Sequence, residues 1–316
     1  MPDSLTQADI DTAHKRIYRN IRHTPLISLA GKEAGHDEDI VLKLECLQHA
    51  GSFKARGAFN SLIGANVPEA GVVAASGGNH GAAVAFAAST LGHAANIFVP
   101  EISSPAKIDL IRSCGAQVHI GGARYTDALA ASEDFIDHTG AMTVHAYDQP
   151  STLQGQGTLG LELERQAPEL DTVLIAVGGG GLIGGVAAWY RGRTKIVAVE
   201  PETSCALHAA LAAGEPTTVK PEGIAADSLG ASSVGSLMFP IAKAYVDHVA
   251  LVTDRAITDT QIWCWRNLHL AVEPGGAAAL AALLHGAYRP LRGERIGVIM
   301  CGSNVDLAKL ADLSGS

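Results

Sequence analysis

From Val41 onward, short apolar runs alternate with alanine-rich stretches of helical length. LKLECL precedes SFKARGAFNSLIGA, VVAAS precedes HGAAVAFAASTLG, and ANIFVP precedes SPAKIDLIRSCG. QVHI, MTVHAY, TVLIAV, KIVAVE and RIGVIMCG are further strand candidates, each bounded by Gly, Pro or a helical segment. That alternation is the signature of βαβ units, so the pattern predicts an α/β protein with mostly parallel, open sheets. Ahead of it, Thr6 and Asp9 form a candidate capping box, with Ile10, Ala13, Ile17 and Ile21 on one helical face. The uncharged stretch from Thr172 to Tyr190 is long enough to suggest a membrane span, but it contains four consecutive glycines and reads instead as strand, turn and helix.

Composition narrows the function classes. A chain of 316 residues with 47% apolar content can build a substantial core. Its net charge of −9, with no basic cluster, lacks the footprint that nucleic acid or an anionic membrane requires, so small molecules are the expected partners. Cys46, Cys114, Cys205, Cys264 and Cys301 are odd in number and show no CxxC spacing, which fits a reducing, cytoplasmic setting. No apolar leader segment opens the sequence.

Ligands of open α/β sheets bind beyond the carboxyl ends of strands, and four loops there carry chemistry. In HAGSFKARG, Ser52 is a candidate cap for a helix beginning at Phe53, which would put Lys54 in the first turn. The positive end of the helix and burial would both lower the basicity of that amine and make it a nucleophile toward an aldehyde. The alternative is a solvated lysine beside Arg56. In ASGGNHG, backbone N–H groups at a helix start suit a carboxylate or phosphate, and Asn79 and His80 offer side-chain hydrogen bonds. VGGGGLIGG lets the backbone approach a phosphate closely. Gly179, Gly181 and Gly184 also satisfy G-x-G-x-x-G, with Glu200 ending a strand about twenty residues on, so a nicotinamide-dependent oxidoreductase is the rival reading. In MCGSN, Cys301 follows a strand and is expected to be an inert, buried thiol.

Taken in order, S-F-K-x-R-G (Ser52 to Gly57), S-G-G-N-H-G (Ser76 to Gly81), G-Q-G-T (Gly155 to Thr158), G-G-G-G-L (Gly178 to Leu182), E-P-G-G (Glu273 to Gly276) and C-G-S-N-V-D (Cys301 to Asp306) span nearly the whole chain. The set resembles the fold-type II pyridoxal-phosphate enzymes, which are tryptophan synthase β-like, and within them the serine/threonine dehydratase and serine racemase branch. The resemblance implies two open parallel-sheet α/β domains with the cofactor in the cleft between them. A large domain would comprise residues 1–66 and 148–316, and a small mobile one residues 67–147. Lys54 would hold pyridoxal 5'-phosphate as a Schiff base and act as general base. Phe53 would pack beside the ring, Asn79 would bond its 3′-oxygen, and Gly178, Gly179, Gly180, Gly181 and Leu182 would bind the phosphate. Cys301 would face the pyridine nitrogen, where a thiol, unlike a carboxylate, does not keep the ring protonated. Ser76, Gly78, Asn79 and His80 would receive the substrate carboxylate, and Tyr147 lies where relatives place a residue near the cofactor face.

The activity so implied is elimination of water and ammonia from L-threonine, L-serine or a related β-hydroxy amino acid by a cytoplasmic homodimer. A serine racemase or a β-replacement enzyme is the alternative within the family. Three departures qualify this. Racemases of the branch carry a serine hydroxyl at the position of Gly77, so poor racemisation is expected unless Ser76 rotates inward. A divalent-cation site in some relatives uses a glutamate and an aspartate six residues later, but here Glu200 is followed at that distance by Ala206; Glu202 is the possible substitute, and no metal is assigned. Asp227 holds the acidic position of a loop near the cofactor, with Ser228 where relatives often have glycine. The C-terminal regulatory domain of feedback-controlled threonine dehydratases is not expected after Asp306.

Overall fold

The computed structural model describes residues 5–315. Ten strands form two sheets: β1 (Leu26–Leu29), β2 (Ile40–Lys43), β3 (Val72–Ala75), β4 (Ala95–Val99), β5 (Gln117–Ile120), β6 (Met142–Thr143), β7 (Thr172–Ala176), β8 (Lys195–Pro201), β9 (Val246–Val252) and β10 (Ile296–Ile299). The six-stranded sheet runs β1-β2-β10-β7-β8-β9 and the four-stranded sheet β5-β4-β3-β6. Every pair in the larger sheet is parallel except β1 with β2, so the sheets are mostly parallel, as expected, with one antiparallel edge. β1 and β9, neither of them predicted, are the two edges. Both carry half-exposed residues among their apolar ones, whereas β7 and β10 are buried along their whole length and read as continuous apolar runs. MTVHAY yields only the two-residue β6 before the chain turns into the site.

The N-terminal capping box forms as expected: Thr6 accepts from the Asp9 N–H, and the Asp9 side chain accepts from the Thr6 N–H. Ile10, Ala13 and Ile17 are buried, while Ile21 lies past the helix end at Ile17. The stretch 172–190 is β7 followed by the helix Gly181–Tyr190, and no helix among the described residues is long and apolar enough to cross a membrane.

Three helices pack beneath the site: Lys54–Ile63, Pro150–Gln166 and Gly181–Tyr190. The G-Q-G-T segment explains how they come so close. A Cβ on Gly155 would lie 2.6 Å from the Arg56 carbonyl oxygen, and one on Gly157 would lie 2.9 Å from that of Gly185. Backbone faces backbone there, and an added methyl costs roughly 1–3 kcal/mol in a packed interior. Arg56 is fully buried; its guanidinium bonds Glu45 at 2.7 and 2.8 Å, Glu162 at 2.9 Å and Thr158 at 3.2 Å. Lys43, equally buried, reaches the other Glu162 oxygen at 2.5 Å. This charge network fastens the Lys54 helix to β2 and the helix Pro150–Gln166, and removing one partner of such a buried set costs about 3–5 kcal/mol.

Candidate active site

Lys54 begins its helix, but the cap is not the one expected. Ser52 is extended (φ −159°, ψ 160°) and forms an isolated bridge with Gly302, so Phe53 is the N-cap residue and the buried Ser52 Oγ has no partner among the described residues. The bridge has a consequence for the site. With the Phe53 N–H donating to the Cys301 carbonyl at 3.2 Å, it holds the lysine segment against the loop after β10. Lys54 Nζ donates to the Ala146 carbonyl at 2.9 Å and lies 5.1 Å from the centre of the Phe53 ring. Burial pulls its pKa down to about 8, against the opposing pull of Cys301 and Glu273 nearby.

Around this amine a single pocket is lined by Phe53, Lys54, Asn79, Tyr147, Gly178 to Leu182, Ser228, Glu273 and Cys301. Every residue expected to hold the cofactor therefore converges on one place. The glycine run is sterically required: a Cβ on Gly179 would lie 2.3–2.5 Å from the Tyr147 ring, and one on Gly180 2.4 Å from Met238. Gly180 has φ +86°, which a side chain disfavours, and it caps the helix Gly181–Tyr190. The first-turn N–H groups of that helix lack intrahelical acceptors and face a space suited to an anion. Cys301 Sγ donates to the Gly275 carbonyl at 3.2 Å, and burial raises its pKa, so the thiol stays neutral.

The family is decided by comparison with known proteins. A family described as "Pyridoxal-phosphate dependent enzyme" matches residues 17–302. Serine racemase of Oryza sativa subsp. indica is 36% identical over 95% of this chain and 91% of its own. L-threonine ammonia-lyase of Thermotoga maritima is 33% identical over 96% of this chain and 76% of its own. The structure of maize serine racemase superposes with a TM-score of 0.91 at 34% identity, covering 98% of this chain and 96% of the maize chain. The chain belongs to the pyridoxal-phosphate dependent enzymes. Its cofactor is pyridoxal phosphate, and the residues present fit that group: an amine of lowered basicity, a glycine cradle at a helix start and a neutral thiol share one pocket.

For such an enzyme the dinucleotide alternative also fails on geometry. Glu200 is buried, and its two oxygens accept from the Leu207 and His208 N–H groups at 2.8 Å each, capping the helix Ala206–Ala213. Neither oxygen is free for a ribose. The same capping engages the carboxylate considered for a cation, and no group of three or more candidate metal ligands occurs among the described residues.

The second loop is more open. Ser76, Gly77, Gly78 and Asn79 are half-buried where β3 passes into the helix Asn79–Thr90, and Ser76, Gly78 and His80 do not line the lysine pocket. The His80 ring is turned away into the interior, 2.7 Å from the Val144 carbonyl, where burial first and then the nearby Lys54 push its pKa down to about 3. Its side chain is thus committed elsewhere, leaving its backbone N–H for a ligand. Asn79 spans three segments: its Nδ2 donates to Glu273 at 2.5 Å, and its Oδ1 accepts from Asn304 at 2.7 Å.

Glu273 was legible only as part of a motif. Its carboxyl is buried, with Oε2 unpartnered among the described residues, and desolvation lifts its pKa to about 7. Ser228 accepts from the Gly275 N–H at 3.0 Å, which fixes the start of the helix Pro274–Leu284. Both residues also line a second cavity of about 530 Å³, bounded on the other side by the helix Pro105–Ser113. Asp227 stands at its mouth, paired with Lys107 of that helix, so an ion pair joins the two halves of the cleft wall. Distance in sequence hid these contacts.

Proposed function

We propose that the chain eliminates water and then ammonia from L-threonine, L-serine or a related β-hydroxy amino acid, giving a 2-keto acid. Lys54 carries the reading: its amine, with a pKa lowered to about 8, opens onto the glycine cradle. Bound at Lys54, pyridoxal phosphate supplies the electron sink that acidifies the substrate's Cα–H. Gly178 to Leu182 would hold the phosphate through N–H groups, Phe53 would pack beside the ring and Asn79 would orient it. The Ser76 to His80 loop would take the substrate carboxylate by backbone N–H groups other than that of Ser76, which donates to the Phe98 carbonyl at 3.0 Å, with the side chains of Ser76 and Asn79 adding contacts. Lys54, once freed by substrate, removes the Cα proton. Cys301, whose buried thiol stays neutral, would face the pyridine nitrogen without keeping it protonated, which would favour prompt departure of a β-leaving group.

In this reading residues 67–147 form a small domain that closes over the cleft when the carboxylate binds, and residues 1–66 and 148–316 form the larger one. The ion pair between Lys107 and Asp227 supports such a closure. The test is the visible absorption of the purified protein with and without L-threonine or L-serine. Wild type shows a cofactor band and accumulates 2-keto acid; Lys54→Ala lacks the band and loses about 10³-fold or more in rate, the upper range for removing a general base. A band that persists unchanged in Lys54→Ala overturns the assignment.

A further inference from the structure

Two distant segments wall the glycine run, and one side chain clasps them together. The first is the loop that leads into the helix Phe239–Tyr245. There Gly235 donates its N–H to the Gly179 carbonyl at 3.0 Å, and the buried Met238 side chain lies 2.4 Å from where a Cβ on Gly180 would be and 2.6 Å from one on Gly184. The second is the turn after β6. The Tyr147 ring fills the space beside Gly179, and Tyr147 Cα would lie 3.0 Å from a Cβ on Gly181. His145 shapes that turn: its Nδ1 accepts from the Tyr147 N–H at 3.2 Å and the Asp148 N–H at 2.8 Å, and the Thr152 hydroxyl donates to its carbonyl at 3.0 Å. Asp148 then reaches across. Its Oδ2 accepts from the Ser236 N–H and the Ser236 hydroxyl at 2.9 Å each, and its Oδ1 from the Leu237 N–H at 2.9 Å. Three donors converge on two carboxylate oxygens, a set that an amide, with one accepting oxygen, cannot satisfy.

We propose that Asp148 is a positioning residue for the cofactor's phosphate: by clasping the loop 235–238 to the turn that carries Tyr147, it holds the N–H groups of Gly178 to Leu182 in their binding geometry before the cofactor arrives. The inference rests on the reading of those residues as the phosphate cradle. Four consecutive glycines cannot hold one conformation by themselves, since glycine loses more backbone freedom on ordering than any other residue. Any ordering left until the ligand binds is subtracted from affinity, so the cradle has to be fixed from outside. Leu229 stands against Gly178, Tyr147 against Gly179 and Gly181, and Met238 against Gly180. Two of those three walls are the segments that Asp148 joins. Asp148 does not line the lysine pocket, so it acts through these neighbours and not by touching the cofactor. As a direct ligand its carboxylate would repel a phosphate; here its oxygens are occupied by the donors of the loop.

The experiment strips the cofactor from full-length wild type, Asp148→Ala, Asp148→Asn and Ser236→Ala with hydroxylamine, then titrates each by absorbance with pyridoxal phosphate and with pyridoxal, which offers Lys54 the same aldehyde without the phosphate. The ratio of the two dissociation constants reads what the phosphate contributes. Asp148→Ala is expected to lower that ratio by about tenfold or more, as for lost hydrogen bonds to a charged group. Its constant for pyridoxal should stay within about twofold, as for a substitution that leaves the ring and amine contacts in place. Asp148→Asn should fall between wild type and Asp148→Ala. Ser236→Ala, which removes one exposed donor of the three, should lower the ratio least, by about twofold. A ratio unmoved in Asp148→Ala overturns the proposal, and so does equal weakening for both ligands, since Asp148 would then only support the fold. If Asp148→Ala does not fold, an unchanged ratio in both Asp148→Asn and Ser236→Ala overturns it. A wild-type ratio near one removes the reading of the glycine run as a phosphate cradle first, and this inference with it.

Discussion

The loops after β7 and after β3 are both glycine-rich turns from a parallel strand into a helix, and both present N–H groups to the cleft. Around Gly178 to Gly181 the backbone is crowded at every position: Tyr147, Met238 and Leu229 sit where any side chain would have to go, although Gly178 and Gly179 are themselves half-buried. Around Ser76 to Asn79 the crowding is uneven: a Cβ on Gly77 would meet Ser103 Oγ at 2.3 Å, whereas one on Gly78 would meet nothing nearer than the Asp227 carbonyl at 3.6 Å. In the proposed reading the first subsite is built ahead of any ligand, as a permanently held phosphate would require, and Gly78 leaves the second room for a substrate that comes and goes, which would keep its binding energy available for the reaction.

The sharpest way to break that contrast is Gly179→Ala. Its methyl would enter the Tyr147 ring, and overpacking of this kind costs roughly 1–3 kcal/mol. Pyridoxal-phosphate affinity, titrated by absorbance, is expected to fall by about 10- to 100-fold, with part of the loss recovered in Gly179→Ala/Tyr147→Ala. Gly78→Ala, with open space ahead of it, is expected to leave cofactor affinity untouched; equal losses in the two variants would show that the loops are equally rigid.

Asn79→Ala sharpens the comparison from the other side, since Asn79 is the residue that ties the open loop to the closed half through Glu273 and Asn304. Removing it leaves the Glu273 carboxyl, already with one oxygen orphaned, without a partner on either, and an unsatisfied buried group of this kind costs about 1–3 kcal/mol. Thermal unfolding of the apoprotein should register that loss in Asn79→Ala. Asn79→Ala/Glu273→Leu should recover stability, because replacing both partners by apolar groups removes the unpaired carboxyl.

What the sequence made legible follows the same division. The interior strands and the glycine loops could be read from local pattern, because burial on both faces writes an unbroken apolar run and a crowded backbone writes glycine. Edge strands β1 and β9 escaped because half of each faces outward. The roles of Glu273 and Asn304 escaped because each is set by a contact with a segment far away in the chain. Ser52 and His80 misled for a related reason. Serine is at home at a helix start and histidine offers a side-chain hydrogen bond, but the bridge to Gly302 and the Val144 carbonyl claimed them first.

The smallest effect expected is one of pH, and it separates capture by Lys54 from binding by the cradle. The amine reacts with an aldehyde only when unprotonated, and its pKa of about 8 lies below that of an ordinary lysine. Below that value the reactive form is scarce, and above it the form saturates. The rate of cofactor capture by apoprotein should therefore rise about fivefold between pH 7 and 8 and level off above pH 9, as a single titration at that pKa dictates. The pre-equilibrium affinity for the phosphate of the cofactor, set by backbone N–H groups that do not titrate, should stay flat over pH 7–9, where the phosphate is already largely dianionic. Stopped-flow absorbance separates the two: a capture rate that kept climbing to pH 10 would put Lys54 back among solvated lysines, and an affinity that tracked the capture rate would mean the glycine loop is not what first holds the cofactor.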